Sequence, residues 1–409
     1  MFQAIGRALA GAAAGLAAVL LVVQGLMYTA HARANEPAYF GPRLIQEDVR
    51  IPAGNGRSIA ATIIRPEGAG PYGAVVLNHG VPGAEAARKN VSWRDFSAVA
   101  PVFARRGYAV VMPIRRGFGA TGGEMAEDAG PCRNPDYQRA ERNASEDVMA
   151  AYDYARALPY VDGNRMILAG QSAGGIVSIH TAGTRQPKGL VAVLGFASGR
   201  GGNPDIRPGV PCAVEPVARI FESLGKQVQV PVLLNYSEND QYFNAETSRL
   251  WFNRFTGAGA RAEYVLQKPF RKDGHFLFVD LVGVEYWLPT VEKFLAAQNV
   301  PFERLDMSDP LQRPLLAGRF PTAPSESCAS LYRVFLEAPG PRAYAVSGDG
   351  HCGFSSGTRD ARDTAMRECA AISATPCGLY AVDSVLVWKD ENGPAVAGLH
   401  PSKTATAGK

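Results

Sequence analysis

Gly170-Gln171-Ser172-Ala173-Gly174 spells G-x-S-x-G directly after the short apolar run Met166–Ala169. That spacing suits a sharp strand-to-helix turn with Ser172 at its tip. Such a turn strains the serine backbone and leaves no room for side chains two positions either side, hence the two glycines. It lifts the hydroxyl clear of the sheet edge and aims the next N–H, that of Ala173, at the same spot. The chemistry this serves is attack on an acyl carbon. The hydroxyl then needs a base to take its proton, and the oxyanion needs fixed N–H donors. A structural turn of small residues reads the same way, so the case rests on partners elsewhere in the chain.

The elements that must position those partners follow from periodicity. Arg43–Arg50 and Arg57–Arg65 read as strands joined by the turn Pro52-Ala53-Gly54-Asn55-Gly56. Ala74–Leu77 is a short apolar strand ending in Asn78-His79-Gly80-Val81-Pro82-Gly83. Tyr108–Pro113 is another, leading into Arg115-Arg116-Gly117-Phe118-Gly119. Helices are predicted over Trp93–Arg106, closed by Gly107, and over Ser145–Leu158, capped by Ser145. Beyond the elbow come a helix from Ile176, a strand at Leu190–Phe196, a helix at Pro216–Leu224 and a strand at Val230–Asn235. A helix at Ala245–Phe255, a strand at Ala262–Gln267 and a helix at Glu285–Ala297 follow. Continuous apolar strands alternating with helices predict a parallel sheet covered on both faces.

Composition narrows the class. The chain has 409 residues, of which 46% are hydrophobic, so a large core is available. Met1–Ala34 carries Arg7, then the run Ala8–Met27, apolar apart from Gln24, then small-x-small sites at Ala30-His31-Ala32 and Ala32-Arg33-Ala34. This is the pattern of a signal peptide, and the run is also long enough for a retained N-terminal anchor. The body is therefore expected in the periplasm or outside the cell, with membrane contact only if the segment is retained. The net charge is +4 and falls by two when Arg7 and Arg33 leave with the segment. A near-neutral remainder offers no nucleic-acid surface. No His/Cys cluster has metal-ligand spacing, so neither metal nor other cofactor is expected. Six cysteines are an even count, and in an oxidising compartment disulfides are the expected state.

The order of elements resembles the α/β-hydrolase fold over roughly Arg43–Ala297. Asn78-His79-Gly80, Arg116-Gly117-Phe118-Gly119 and Gly170–Gly175 make it most similar to the dienelactone hydrolase branch. That branch proper has a cysteine nucleophile where this chain has Ser172, and a serine suits esters generally. The resemblance implies that acid and base follow the serine, on loops at the carboxyl ends of later strands. Of the histidines beyond both the serine and any plausible acid, His351 and His400 lie in a separate C-terminal region. That leaves His275, in Lys272-Asp273-Gly274-His275-Phe276, as base. Asp240 fits the acid, with Glu238 the second choice in the same turn. Ala173 and Val81 are the expected oxyanion donors, with Gly80 the fallback. His79, Gly80, Arg116 and Gln171 are candidate substrate contacts. His79 equally suits a structural role bonding the loop backbone, and Arg115 and Arg116 equally suit solvated loop arginines. The expected activity is hydrolysis of small-molecule carboxylic esters through an acyl-enzyme. Two alternatives stand beside it: a peptidase of the prolyl-oligopeptidase type, and a non-catalytic binding protein on a hydrolase scaffold.

The polar insertions Glu124–Asn143, with Cys132, and Ala197–Ala213, with Cys212, both leave the sheet at its carboxyl edge, so a Cys132–Cys212 bridge is geometrically reasonable. The expected divisions are a leader over 1–34, a catalytic domain over 35–298 and a Pro-rich linker over 299–327. A small α+β domain over 328–390 and a disordered tail over 391–409 complete the chain. Within the small domain Leu331–Leu336, Ala343–Val346, Leu379–Val382 and Ser384–Trp388 read as strands and Asp360–Ile372 as a helix. A unit of that size needs staples. Cys369 and Cys377 are well spaced for one, leaving Cys328 and Cys352 for another. This part resembles a small Cys-containing domain of secreted bacterial proteins, through Asp349-Gly350-x-x-Gly353 and Ala365-x3-Cys369.

Overall fold

The structure is a computed structural model that describes residues 43–305 and 320–388 except Pro339, Arg359 and Ser384. The expected leader, the tail over 391–409 and 306–319 of the linker lie outside the described residues. All described residues belong to one compact unit.

Eight strands form the main sheet: β1 (Leu44–Pro52), β2 (Ser58–Pro66), β3 (Tyr72–Asn78), β4 (Tyr108–Ile114), β5 (Val161–Gln171), β6 (Leu190–Phe196), β7 (Val232–Ser237) and β8 (Ala262–Gln267). Their order across the sheet is β1-β2-β4-β3-β5-β6-β7-β8. The strands from β4 to β8 run parallel; β1 pairs antiparallel with β2, and β2 with β4. The expected parallel sheet thus carries an antiparallel hairpin at one edge. All seven residues of β4 are buried, which is why its sequence is an unbroken apolar run rather than an alternation. This order, with helices on both faces, is the α/β-hydrolase fold.

The nucleus of one helical layer is α3 (Tyr137–Arg156) with α4 (Ala173–Arg185), whose buried residues join β3–β7 in the largest core cluster. On the other face α2 (Ala100–Ala104) and α7 (Val284–Ala297) bring Phe103 and Trp287 into stacked contact, with Phe196 and Phe278 beside them. Ahead of α2, α1 is a single turn at Glu85–Arg88. Between α4 and α7 lie α5 (Val214–Gly225) and α6 (Ala245–Gly257).

Two helix predictions are corrected. The helix predicted over Trp93–Arg106 is a 3-10 turn, Trp93–Phe96, followed by the separate α2. Pro101 has no N–H to continue a helix and instead stands in the first turn of a new one. The helix expected to begin at Ser145 begins eight residues earlier, at Tyr137, where the Asp136 carboxylate accepts the Arg139 N–H. Ser145 lies inside it and donates to the Arg142 carbonyl. Serine suits a cap and a back-bonded helix interior alike, and the stripe Ala140, Ala144, Val148 already ran through it.

The C-terminal part is a second, antiparallel sheet, β10-β9-β11-β12, built from β9 (Arg342–Ser347), β10 (Cys352–Ser356), β11 (Cys377–Val382) and β12 (Val385–Leu386). Ala343 and Ala345 face α9 (Ala361–Ala370), while Tyr344 and Val346 face α8 (Glu326–Glu337). Leu331–Leu336, expected as a strand, is therefore helical. Ser325 caps it, and Cys328, Tyr332 and Phe335 form a helical stripe that a short apolar run hides. Disulfides join Cys328 to Cys352, Cys369 to Cys377 and Cys132 to Cys212.

Candidate active site

Parallel strands end on one side of the sheet, so the loops after β3 through β8 share one rim. Ser172 sits there between β5 and α4 with φ 57° and ψ −122°, a conformation held by its surroundings rather than by preference. A Cβ on Gly174 would lie 2.0 Å from the Asn78 carbonyl oxygen, and one on Gly170 2.3 Å from that of Gly174. Both glycines are steric requirements of the elbow. The Ser172 N–H is fixed to the Phe196 carbonyl at 2.9 Å. Ala173 opens α4, so its N–H has no acceptor within the helix.

The β7 and β8 loops are braced together. Asp273 caps the short turn Gly274–Phe276, and its Oδ1 accepts N–H groups from His275 at 2.9 Å and Gln241 at 3.0 Å. The Asp240 Oδ1 accepts from the N–H groups of Tyr242 and Phe243 at 2.7 and 2.8 Å. His275 Nδ1 lies 3.1 Å from both Asp240 oxygens. A carboxylate can only accept, so Nδ1 carries a proton, and in the neutral ring Nε2 is then the nitrogen with the free lone pair. Glu238 is exposed and takes no part in this contact. The Tyr242 ring stacks on the imidazole, with centroids 4.0 Å apart and planes 22° apart. Ser172 and His275 line one cavity of about 680 Å³.

Gly80, Val81 and Ala173 line it too, and Gly80 approaches so closely that a Cβ there would stand 3.2 Å from that of Ser172. His79 shapes this loop. Its Nδ1 donates to the Gly80 carbonyl at 2.7 Å and its Nε2 accepts the Arg115 N–H at 3.2 Å. Burial, and then the Arg115 charge, lower its pKa to about 3, so it stays neutral and keeps both bonds. Gln171 donates to the His275 carbonyl at 3.1 Å, linking the elbow to the histidine loop. Arg116 is not brought to the cavity. Its guanidinium binds Asp147 at 2.7 Å and Glu146 at 2.9 Å on α3. Among the described residues no group of three or more His, Cys, Asp and Glu is placed to hold a metal.

The sequence reading did not single out Tyr242, Asp273, Glu127 or Arg200. Asp273 carried a signal, as a carboxylate two residues before the histidine. Glu127 and Arg200 carried none, because they meet 73 positions apart.

A model of the prolyl oligopeptidase family matches residues 94–200, about a quarter of the chain and including the elbow. No curated protein sequence matches. Among solved structures the chain is similar to an esterase of Pyrococcus furiosus (16% identity, 62% of this chain and 91% of that one, TM-score 0.45). It is also similar to a dienelactone hydrolase-like promiscuous phosphotriesterase from metagenomic libraries (17%, 55% and 82%, 0.39). A third is dipeptidyl peptidase 4 of Porphyromonas gingivalis (16%, 65% and 36%, 0.44). What fixes the assignment is the strand order together with the elbow after its central strand. On that ground the chain has the α/β-hydrolase fold, with a serine at the elbow.

Proposed function

We propose that the protein is a serine hydrolase of small-molecule carboxylic esters. The observation that carries this reading is the Nδ1 contact of His275 with Asp240 in a cavity that Ser172 also lines. His275 Nε2 takes the Ser172 proton as Oγ attacks the ester carbonyl, and Asp240 stabilises the imidazolium. The N–H groups of Ala173 and Val81, or Gly80 in place of Val81, receive the oxyanion. Collapse expels the alcohol, protonated by His275, and leaves an acyl-enzyme. Water activated by the same imidazole then releases the acid and restores Ser172.

The family-model match favours a second reading, a peptidase of the prolyl-oligopeptidase type. Ester cleavage is preferred because the elbow and oxyanion loop resemble the dienelactone hydrolase branch. The experiment is a panel of short p-nitrophenyl esters against prolyl p-nitroanilides, with Ser172→Ala as control. Ester turnover and fluorophosphonate labelling, both abolished by Ser172→Ala, are expected. Turnover retained in the variant would refute the mechanism, and anilides outpacing esters would favour the peptidase.

The working compartment is the periplasm or the exterior, for which the three disulfides are the support. No helix among the described residues is long and apolar enough to cross a membrane. Residues 35–298 form the catalytic domain in this reading, and 328–390 a stapled module attached to it.

A further inference from the structure

One wall of the cavity carries charge that the proposed reaction does not use. Arg200, after β6, and Glu127, after β4, both line it. Arg200 is only 6% exposed. Its Nε donates to Glu141 at 2.6 Å and its Nη2 to Glu127 at 2.5 Å. The other Glu127 oxygen is taken by the Arg115 Nε at 2.5 Å. That leaves Arg200 Nη1. It has no hydrogen-bond acceptor among the described residues, yet it is not one of the atoms sealed in the interior. Arg200 borders the cavity, and Nη1 is the part of its guanidinium left to meet a ligand there.

An unpaired guanidinium edge in a site that substrate will dry discriminates strongly. A ligand that supplies an acceptor gains a charge-assisted bond, and one that does not leaves the donor unpaired. Charge balance decides which acceptor. Arg115 and Arg200 are offset by Glu127 and Glu141, so the cluster has no net positive charge to receive an anion. A carboxylate at Nη1 would also face both glutamates across one guanidinium. A neutral oxygen meets no such repulsion. The donor is well fixed, since the Cys132–Cys212 bridge and the Cys212 N–H to the Gly201 carbonyl at 2.9 Å hold its loop.

We propose that Arg200 is a specificity-determining residue, whose Nη1 donates to a neutral oxygen, an ether, hydroxyl or carbonyl, carried by the substrate beside its scissile ester. This rests on the ester-hydrolase reading. The test compares esters that differ only by oxygen for methylene. The pairs are p-nitrophenyl 3-methoxypropanoate against pentanoate, and 5-methoxypentanoate against heptanoate, each kcat/KM divided by the hydroxide-catalysed rate. The oxygenated ester should be preferred by ~10-fold or more at one chain length. Arg200→Lys keeps a charge between the glutamates without the planar fork, and should bring that ratio below ~3-fold. The ratio cancels any general loss of activity. Where the lysine variant does not fold, Arg200→Gln with Glu141→Gln removes one charge of each sign and serves instead.

Equal rates in the wild type at both lengths would overturn the proposal, as would a preference unchanged in the variants. So would a larger Arg200-dependent preference for p-nitrophenyl hydrogen adipate, which would make the acceptor anionic. Inactivation by fluorophosphonates with the same paired chains needs the serine but not ester turnover. If esters fail while inactivation keeps the preference, the inference stands and the ester reading falls. Reaction with neither overturns both.

Discussion

At the scale of single residues the candidate site is a chain of hydrogen bonds in which each group settles the state of the next. Asp240 is oriented by two backbone N–H groups and orients the His275 ring in turn. Replacing Asp240 by Asn keeps the shape but puts a donor where Nδ1–H donates, which favours the wrong tautomer. A fall in kcat on the order of 10³–10⁴-fold is expected, with KM little changed. Steady-state kinetics on a p-nitrophenyl ester check this, and a loss under ~10-fold would assign Asp240 a minor role. His79 works through the backbone. It fixes the carbonyl of Gly80 and the N–H of Arg115, and a histidine held neutral by burial can do both at once.

At the scale of elements the elbow depends on how closely β3, β5 and α4 approach. The Gly174 contact with the Asn78 carbonyl leaves no space for a methyl group, and that carbonyl belongs to the last residue of β3. Gly174→Ala is therefore expected to push α4 off the sheet. It should cost roughly 1–3 kcal/mol of stability by overpacking and reduce fluorophosphonate labelling of Ser172. Urea unfolding with a labelling time course measures both. Wild-type labelling at wild-type stability would show that the elbow has slack which the geometry denies. The element predictions succeeded where pattern and environment agree. Leu190–Phe196 and Ala262–Gln267 match β6 and β8 residue for residue. They failed at Trp93–Arg106 and Leu331–Leu336, where a proline inside an apolar stretch and a short apolar run each fit two structures.

At the scale of the whole molecule, a buried acid helps tie the antiparallel module to the chain that flanks the main sheet. Glu337, at the end of α8, meets Arg105 at 3.2 Å and Arg106 at 3.4 Å, and also Arg304. Burial raises its pKa, but the charges of Arg304, Arg106 and Arg105 more than offset that and bring it to about 2. A carboxyl depressed in the folded state stabilises the fold above its ordinary pKa, and loses that contribution as pH falls towards the folded value. Glu337→Gln removes the acid that the three arginines share, leaving Arg106 only Glu292, and should cost about 3–5 kcal/mol near neutral pH. The gap to wild type should narrow as pH drops from about 4.5 towards 2. Denaturant midpoints across that range test it, and a pH-independent gap would show the loss to be one of packing alone.

The sequence by itself determined what is local or ordered along the chain: the strained turn at Ser172, the strand and helix periods, and the succession of serine, acid and histidine loops. Tertiary structure alone decided which carboxylate of the β7 loop meets His275, that Arg116 turns to α3, and that Arg200 stands in the cavity wall between Glu127 and Glu141. The physical reason is range. A turn or an amphipathic stripe is specified within a few residues, whereas a buried charge is set by partners that only folding brings near, here 59 and 73 positions away.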